Sequence, residues 1–219
     1  MNNNKPVVSV IMSIYKEPIE WLRQSIDSIL VQTYNNYELI IVCDNPSYKE
    51  GNLLLREYAE KDDRIVLLYN TDNIGLTKSL NKCLVVAKGD YIARMDADDI
   101  CKPDRFEKEV QYLNTHNDID ICHTNIVYID GAGNITEERK LEQPKDIKKW
   151  LCWENFIAHS TVMFRRTVLE TRIPLYNENY RSAQDYDLWT TLALAGRRFG
   201  YLNEPLLKYR LSEAQVSRS

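Results

Sequence analysis

The chain has 219 residues and a formal net charge of -4 at pH 7, with 28 lysines and arginines against 32 aspartates and glutamates. Hydrophobic residues make up 44% and charged residues 27%, an ordinary globular composition that excludes disordered, collagen-like and coiled-coil classes. The acidic balance also argues against a protein that binds nucleic acid through bulk positive charge, but it is compatible with a small phosphate ligand held through a metal ion.

The first hundred residues alternate apolar runs typical of buried strands with segments that carry one apolar stripe, which is typical of helices. The runs predict four strands, at Val7–Ile14, Leu39–Cys43, Ile65–Tyr69 and Tyr91–Met95. The stripes predict three helices: one opening at Glu17-Pro18, one around Leu54 and Leu55, and one from Leu76 that ends at Gly89. This order predicts an α/β fold, Rossmann-like, with a mostly parallel sheet and helices on both faces.

The second half of the chain is less regular and predicts mixed elements. They are a helix from Pro103, a strand at Asp120–Ile129, a turn over 130–134, a helix over 145–153, an extended segment at Ser160–Phe164, a helix at Asp185–Ala195 ended by Gly196, and short strands at Tyr201-Leu202 and Leu206–Tyr209. We find no internal repeat and no linker, so we predict one domain.

Cysteines and apolar segments predict the compartment. The five cysteines are odd in number and widely spaced, with no C-x-x-C pair, which indicates reduced thiols in a reducing compartment. The apolar run near the N-terminus is too short for a signal peptide, and no run approaches the roughly 20 apolar residues of a membrane helix. We expect a soluble, cytoplasmic protein.

Short polar segments directly follow three of the predicted strands. They are Ser13–Glu17, Asp44–Ser47 and Asp96–Asp99. In open α/β sheets the ligand crevice lies at the carboxyl ends of the strands. The sequence therefore predicts a binding site at this edge of the sheet.

Asp96, Asp98 and Asp99 form the sharpest chemical feature, because three carboxylates within four residues repel one another unless a cation is bound. Mg²⁺ and Mn²⁺ suit such a cluster, since they take one or two protein carboxylates and complete their shell with phosphate oxygens and water. Solvated turn carboxylates that cap the helix at Pro103 are the alternative without a ligand.

Two further alternatives have specific defects. An EF-hand loop starting at Asp96 would put Cys101 where glycine is required and Pro103 inside the loop. A phosphatase motif of the haloacid dehalogenase type normally lies on the first strand and continues with a small hydroxyl residue, whereas Ile100 follows here on the fourth strand.

Eight segments form an ordered series over most of the chain. They are Val8–Tyr15, Ser25–Tyr34, Glu38–Asp44, Asn73–Leu76, Lys88–Ala93, Met95–Asp99, His159–Arg165 and Gln184–Trp189. In this order they resemble the inverting glycosyltransferases of family 2, which have the GT-A fold, and the resemblance runs from Val7 to Ser217. A D-x-D motif by itself is weakly specific, whereas the ordered set is strongly specific.

The resemblance implies roles for the carboxylate cluster. Asp98 is expected to bind the divalent metal, Mg²⁺ or Mn²⁺, and Asp96 to contact the ribose of a nucleoside-diphosphate sugar and the metal side. The metal would neutralise charge on the departing nucleoside diphosphate. Asp99 is expected either to orient its neighbours or to cap the next helix.

The resemblance also implies a nucleotide pocket. Asp44 matches the family aspartate that hydrogen-bonds uracil. Its alternative role is that of an aspartate in a turn. The family usually has a second acidic residue after it, where this chain has Asn45. Ser13, Tyr15 and Glu17 occupy the base-binding loop. The contacts of Ser13 and Tyr15 could be made mostly by the backbone, and Tyr15 could instead simply pack. Glu17 could instead cap its helix.

Lys78 and Arg210 complete the expected nucleotide contacts. Lys78 lies where a basic side chain could approach the nucleotide, although a solvated helical lysine is the alternative. Arg210 belongs to a Y-R element that resembles one closing on the diphosphate, but Leu211 stands where the family often has histidine. His159 could approach the sugar or simply pack.

Asp185 is the expected catalytic base. Inversion needs in-line attack by a sugar hydroxyl, with a carboxylate to take its proton. The family places that carboxylate in an E-D or Q-D pair at a helix start, and Gln184-Asp185 fits. Helix capping is the alternative role.

The resemblance implies a metal-dependent enzyme that moves a sugar, most simply from a UDP-sugar, to a saccharide or lipid-linked hydroxyl in bacterial polysaccharide biosynthesis. Within a single domain over 1–219, about 1–100 would bind the nucleotide and about 101–219 the acceptor. No nucleic acid partner is expected, while peripheral association with the inner face of the cell membrane is compatible. Many relatives continue beyond the position of Ser219, so we expect a C-terminal truncation.

Two alternatives to this function stay open. A sugar-nucleotide pyrophosphorylase shares a related sheet but usually carries a glycine-rich loop, which Ser13–Glu17 lacks. An inactive GT-A-like scaffold would keep the fold and bind a partner, although the intact Asp96, Asp98 and Asp185 argue against it.

Overall fold

A computed structural model describes residues 5–139, 144 and 146–211. The strands are β1 Val8–Ile14, β2 Tyr37–Cys43, β3 Ile65–Tyr69, β4 Tyr91–Arg94, β5 Ile100–Cys101, β6 Ile121–Ile129, β7 Ile135–Arg139, β8 Met163–Arg165 and β9 Phe199–Arg210. The α-helices are α1 Ile19–Leu30, α2 Lys49–Lys61, α3 Leu76–Val86, α4 Arg105–Thr115, α5 Ile147–Leu151 and α6 Gln184–Leu194.

The strands form one sheet in the order β3-β2-β1-β4-β8-β6-β9-β5, with β7 paired to β6. The four strands from the first hundred residues are all parallel to one another, as their apolar runs predict. Beyond them β8 runs antiparallel to β4 and β6, whereas β6 and β9 are parallel. The predicted α/β class is confirmed, with most of its parallel strand pairs in the N-terminal half.

Helices cover both faces of the sheet and bury two apolar layers. On one face α1, α2 and α4 pack against alternate β1 side chains such as Val10 and Met12. On the other face α3 and α6 pack against Ile11 and Ile40. The two layers fix the strands from both sides, so the loops at their carboxyl ends project from a rigid support.

Five local features differ from the predictions. The segment Ser160–Phe164, predicted to be extended, begins within a 3-10 helix at His159–Thr161, because the Thr161 N–H turns back to the Ala158 carbonyl, and β8 follows only at Met163–Arg165. The two short C-terminal strands are one continuous strand, β9, and the strands β5 and β7 were not predicted. Helix α3 ends at Val86, so the prediction that Gly89 ends it is wrong. Gly89 instead lies against β1, where an added Cβ would be 2.4 Å from the Ser9 nitrogen. Gly196 does end α6, with a φ of 84°.

Some predicted positions lie outside the described residues. Residue 145 of the predicted helix over 145–153 is one, and so are Ser217 and Ser219 at the end of the resemblance and of the predicted domain. Within the described ranges, no helix has both the length and the apolar character needed to cross a membrane.

Candidate active site

The polar segments after β1, β2 and β4 lie at one edge of the sheet. Ile14 is paired with Cys43 in register, and the Asp44 N–H donates to the Ile14 carbonyl at 2.8 Å. The Asn45 amide then donates to the Tyr15 carbonyl at 3.0 Å, which joins the first two loops. Strand β4 lies on the other side of β1. The loop that follows it, Asp96–Asp99 (the acidic loop), therefore faces the same crevice.

Asp44 is buried and nearly saturated with hydrogen-bond donors. Its Oδ1 accepts from Asn70 Nδ2 and from the Ile74 N–H, both at 2.8 Å, and its Oδ2 accepts from the Gly75 N–H at 2.8 Å. A carboxylate offers about four lone-pair positions. One position therefore remains for a ligand.

The first loop presents Glu17 to the crevice and leaves Tyr15 exposed. The Tyr15 N–H donates to Glu17 Oε2 at 2.8 Å, and Ser13 is partly buried at the end of β1. Burial raises the pKa of Glu17, which backbone N–H groups oppose and the charge of Asp96 reinforces. Glu17 therefore faces the acidic loop across the crevice.

Asp96 and Asp98 differ in their partners. The buried Arg94 guanidinium pairs with Asp96, whose side chain keeps 32% of its surface exposed. No side chain within the described ranges donates to the Asp98 carboxylate. Burial, together with the charges of Asp96 and Glu17, raises the pKa of Asp98 to about 7.

Asp99 holds the acidic loop in place. It is 1% exposed; its Oδ2 accepts from the Ser160 hydroxyl at 2.5 Å and its Oδ1 from the Arg210 N–H at 2.9 Å. Burial and the charges of Asp98 and Asp96 raise its pKa well above the usual range. Of the two predicted roles for Asp99, its contacts favour orientation of the loop, because the cap of α4 is Asp104.

The donor set of the acidic loop fits a divalent cation. Asp98 supplies hard carboxylate oxygens to which no side chain among the described residues donates, and the charge of Arg94 only partly opposes the rise in its pKa. Asp96 lies two residues away on the same loop. Mg²⁺ or Mn²⁺ bound through one or two carboxylates takes its other ligands from phosphates and water. Among the described residues, no group of three or more His, Cys, Asp or Glu side chains is arranged to hold a metal ion by itself.

Asp185 lies in the first turn of α6, as predicted. Its Oδ1 accepts from the Tyr186 N–H at 2.8 Å and its Oδ2 accepts from Asn155 Nδ2 at 2.9 Å. Ala183, which precedes α6, has a left-handed φ of 56°. The side chain therefore has defined partners at both oxygens, and no pattern in the sequence predicted the contact with Asn155.

Lys78 and Arg210 occupy contrasting environments. Lys78 is exposed on the first turn of α3. Arg210 is buried, and its guanidinium donates to the carbonyls of Asp98, Asp130 and Gly131 and to the Gln24 side chain. A contact of Arg210 with a diphosphate would require it to leave some of these partners.

His159 is packed rather than open to solvent. Its Nε2 lies 2.8 Å from the Tyr176 hydroxyl, and its ring contacts those of Tyr176 and Trp189 edge-on. Burial and the charge of Arg94 lower the pKa of His159 well below its usual value. This geometry corresponds to the packing role that the sequence left open.

A family model for glycosyl transferase family 2 matches residues 9–173. A relative from Methanocaldococcus jannaschii, named as an uncharacterised glycosyltransferase, is 40% identical over 210 residues, which cover 95% of this chain and 72% of the relative. The chain belongs to glycosyl transferase family 2. The O-antigen biosynthesis glycosyltransferase WbnJ of Escherichia coli is 34% identical over 97% of this family 2 chain and 83% of its own length.

Solved glycosyltransferases share the fold. Staphylococcus aureus TarS in complex with UDP-GlcNAc has a TM-score of 0.77 at 18% identity over 97% of this chain. The mannosyltransferase PcManGT from Pyrobaculum calidifontis, with GDP-Man and Mn²⁺, has a TM-score of 0.73 at 20% identity over 97% of this chain. This chain spans 60% and 59% of those solved chains, respectively. The expected GT-A fold is confirmed.

The family 2 motif on α1 has a structural role that its pattern did not disclose. The Ser25 hydroxyl donates to the Asp96 carbonyl at 3.0 Å, and Ser28 Oγ accepts from the Cys101 N–H at 3.0 Å. Gln32 Nε2 donates to the Lys102 carbonyl at 2.7 Å. Two serines on α1 and Gln32, just beyond its end, therefore fix both ends of the acidic loop. The i, i+3, i+7 spacing of these polar residues was the available signal.

Proposed function

We propose that this family 2 chain is a metal-dependent inverting glycosyltransferase that uses a UDP-sugar. The observation that carries the proposal is the carboxylate of Asp98, to which no side chain among the described residues donates, on a loop whose other two acidic residues are held by protein groups. An anionic diphosphate needs a cation at such a loop, and Mg²⁺ or Mn²⁺ bound to Asp98 and Asp96 would act as a Lewis acid on the departing nucleoside diphosphate. The Mn²⁺ in the PcManGT complex supports this choice.

The surroundings of Asp44 favour uracil over guanine. Three of its lone-pair positions are occupied, which leaves one acceptor for a base. The Watson–Crick edge of uracil presents one N–H donor, at N3, whereas that of guanine presents donors at both N1 and N2. A single acceptor position therefore suits uracil, with backbone groups of Ser13 and Tyr15 and the side chain of Glu17 lining the same loop.

Each remaining residue has a defined task in the proposed reaction. Asp96, oriented by Arg94, accepts a hydrogen bond from the ribose, and Lys78 approaches the nucleotide from α3. Asp185 takes the proton of the attacking hydroxyl. Arg210 supports the acidic loop from behind, and its predicted direct contact with the diphosphate follows only if it exchanges partners.

We further propose a division of labour along the single domain. The half up to about residue 100 supplies Asp44, Asp96 and Asp98 to the nucleotide, and the half from about 101 to 219 supplies Asp185 to the acceptor. The name of the relative WbnJ, an O-antigen biosynthesis glycosyltransferase, supports a role in polysaccharide biosynthesis. The saccharide or lipid-linked acceptor, and a place at the cytoplasmic face of a membrane, are part of the proposal.

Calorimetric titration with UDP and with GDP, each with and without Mn²⁺, tests this proposal. We expect UDP to bind more tightly than GDP, and Mn²⁺ to strengthen UDP binding. Asp98→Ala should weaken the Mn²⁺-dependent binding at least about tenfold, since losing a group that merely orients a metal ligand already has an effect of that size. Asp63→Ala, at an exposed aspartate in the turn before β3, is the matched control and should bind as wild type does. Binding that is indifferent to Mn²⁺ and unchanged in Asp98→Ala contradicts the metal site.

A further inference from the structure

One of the two partners of the Asp185 carboxylate comes from outside its own helix. Asn155 Nδ2 donates to Oδ2 at 2.9 Å, from the segment between α5 and β8. Because an ionised carboxylate can only accept hydrogen bonds, the Asn155 amide must turn its nitrogen, not its oxygen, toward Asp185. The contact therefore fixes the orientation of both side chains.

The backbone around Asn155 is anchored on both sides. Leu151, Phe156 and Ile157 are buried in the same apolar layer as α6. The Tyr186 hydroxyl also donates to the Leu151 carbonyl. Asn155 itself is exposed, so its side chain adds nothing to this layer, and the one hydrogen bond that its amide makes to a described residue goes to Asp185.

We propose that Asn155 is a positioning residue for the general base, an inference that rests on the proposed role of Asp185. Its amide holds Oδ2 and stabilises the ionised carboxylate, while the remaining lone pairs face the acceptor hydroxyl. In the step it supports, the acceptor O–H bond breaks and its proton passes to Asp185. The acceptor oxygen bonds to the anomeric carbon, and the bond to UDP breaks with its electron pair leaving on the diphosphate.

Hydrolysis of a UDP-sugar in Mn²⁺, with water as the acceptor, gives a readout that needs no identified acceptor. UDP-glucose, UDP-galactose and UDP-GlcNAc are screened, and the fastest is used. We expect Asn155→Ala to lower kcat about tenfold with donor KM unchanged, because a tenfold rate is about 1.4 kcal/mol, within the worth of one hydrogen bond to a charged group. The acid limb of the kcat profile should move to higher pH, since the donor that favours the ionised base is gone.

Asn155→Asp is the sharper variant, because it keeps the shape and places a second carboxylate against the base. A carboxylate at this position cannot donate to the base and repels it, so kcat should fall at least as far as in Asn155→Ala while donor KM is unchanged. Asn117→Ala, at an exposed asparagine in the turn after α4, is the matched control and should keep the wild-type kcat and pH profile.

Three outcomes would overturn the inference. Asn155→Ala with wild-type kcat and pH profile shows that the amide does not act on the base. A fall in kcat with an unmoved pH profile and a lowered Tm shows a structural role instead. Failure of the wild-type protein to turn over any UDP-sugar overturns the proposed function together with this inference, whereas the first two outcomes leave the proposed function standing.

Discussion

At the scale of single residues, the acidic side chains of the candidate site differ in how fully protein groups satisfy them. Asp99 and Asp44 are held by hydrogen-bond donors, and Asp96 is paired with Arg94. No side chain in the described part of the chain donates to the carboxylate of Asp98. Since an unpaired carboxylate in a partly buried site is costly, its position there favours a role in binding a cation over a role in folding.

The proposed base is tested by an isosteric substitution. Asp185→Asn keeps the shape of the side chain but cannot accept a proton, so UDP-sugar turnover should fall by about 10²- to 10⁴-fold while UDP binding is unchanged. Turnover by initial rates and binding by calorimetry check the two parts. Asp187→Asn, two residues along the same helix and paired with Arg172, is the matched control and should retain activity. Wild-type turnover by Asp185→Asn would remove Asp185 from the role of base.

Residue positions in this site were more predictable than residue partners. Asp44, Asp96 and Asp98 were found because they directly follow buried apolar strands. Asn155 and Arg94 were not, because the first lies in an irregular segment and the second within a strand, and only the tertiary fold brings each to a carboxylate.

At the scale of elements, the long apolar strands and striped helices were predictable because each buries one continuous pattern. Strand β9 was read as two strands because Asn203, Glu204 and Pro205 interrupt its apolar pattern. In the structure the strand continues through these residues, and its pairing register with β6 shifts around Asn125. Strand β5 has two residues, too few for any periodicity, and β7 is a charged edge strand paired on one side.

Gly89 gives an element-scale prediction. Its N–H donates to Ser9 Oγ at 2.7 Å, and an added Cβ would lie 2.4 Å from the Ser9 nitrogen and 2.7 Å from the Val8 carbonyl carbon. Gly89→Ala must push the segment before β4 away from β1, which we expect to cost about 1–3 kcal/mol. For a domain of this size that lowers Tm by roughly 2–12 °C.

Thermal unfolding followed by circular dichroism measures this effect, with Gly131→Ala as the control. A Cβ at Gly131 meets Trp21 at 3.4 Å, an ordinary contact, so this variant should unfold near the wild-type Tm. Equal Tm values for the two variants would show that the approach of Gly89 to β1 does not limit stability.

At the scale of the whole molecule, a buried neutral histidine links stability to pH. His123 in β6 packs against Phe156 and Tyr201, and neither ring nitrogen has a hydrogen-bond partner among the described residues. Burial lowers the pKa of His123 to about 4. An exposed histidine titrates near pH 6.5, so the unfolded chain binds a proton that the native chain excludes as the pH falls from about 7 to about 4. The free energy of unfolding therefore decreases over that window.

His123→Phe should reduce this dependence. Between pH 7 and pH 5 the wild-type protein should lose about 2 kcal/mol more stability than the variant, measured by urea unfolding at each pH. His116→Gln, at an exposed histidine, is the control and should follow the wild type. Identical losses in His123→Phe and wild type would show that His123 does not carry the linkage.

The hydrogen bonds of Asp99 to Ser160 and Arg210 affect the order in which the parts of the chain take their final structure during synthesis. Asp99 belongs to the loop after β4, but its donors are Ser160 and the backbone of Arg210, 111 positions further along the chain. A nascent polypeptide can pair β1, β2 and β4 early, since N-terminal segments fold first during synthesis. The acidic loop is held in place only after β9 has emerged, so the N-terminal half of the chain acquires its finished loop when the C-terminal half has been made.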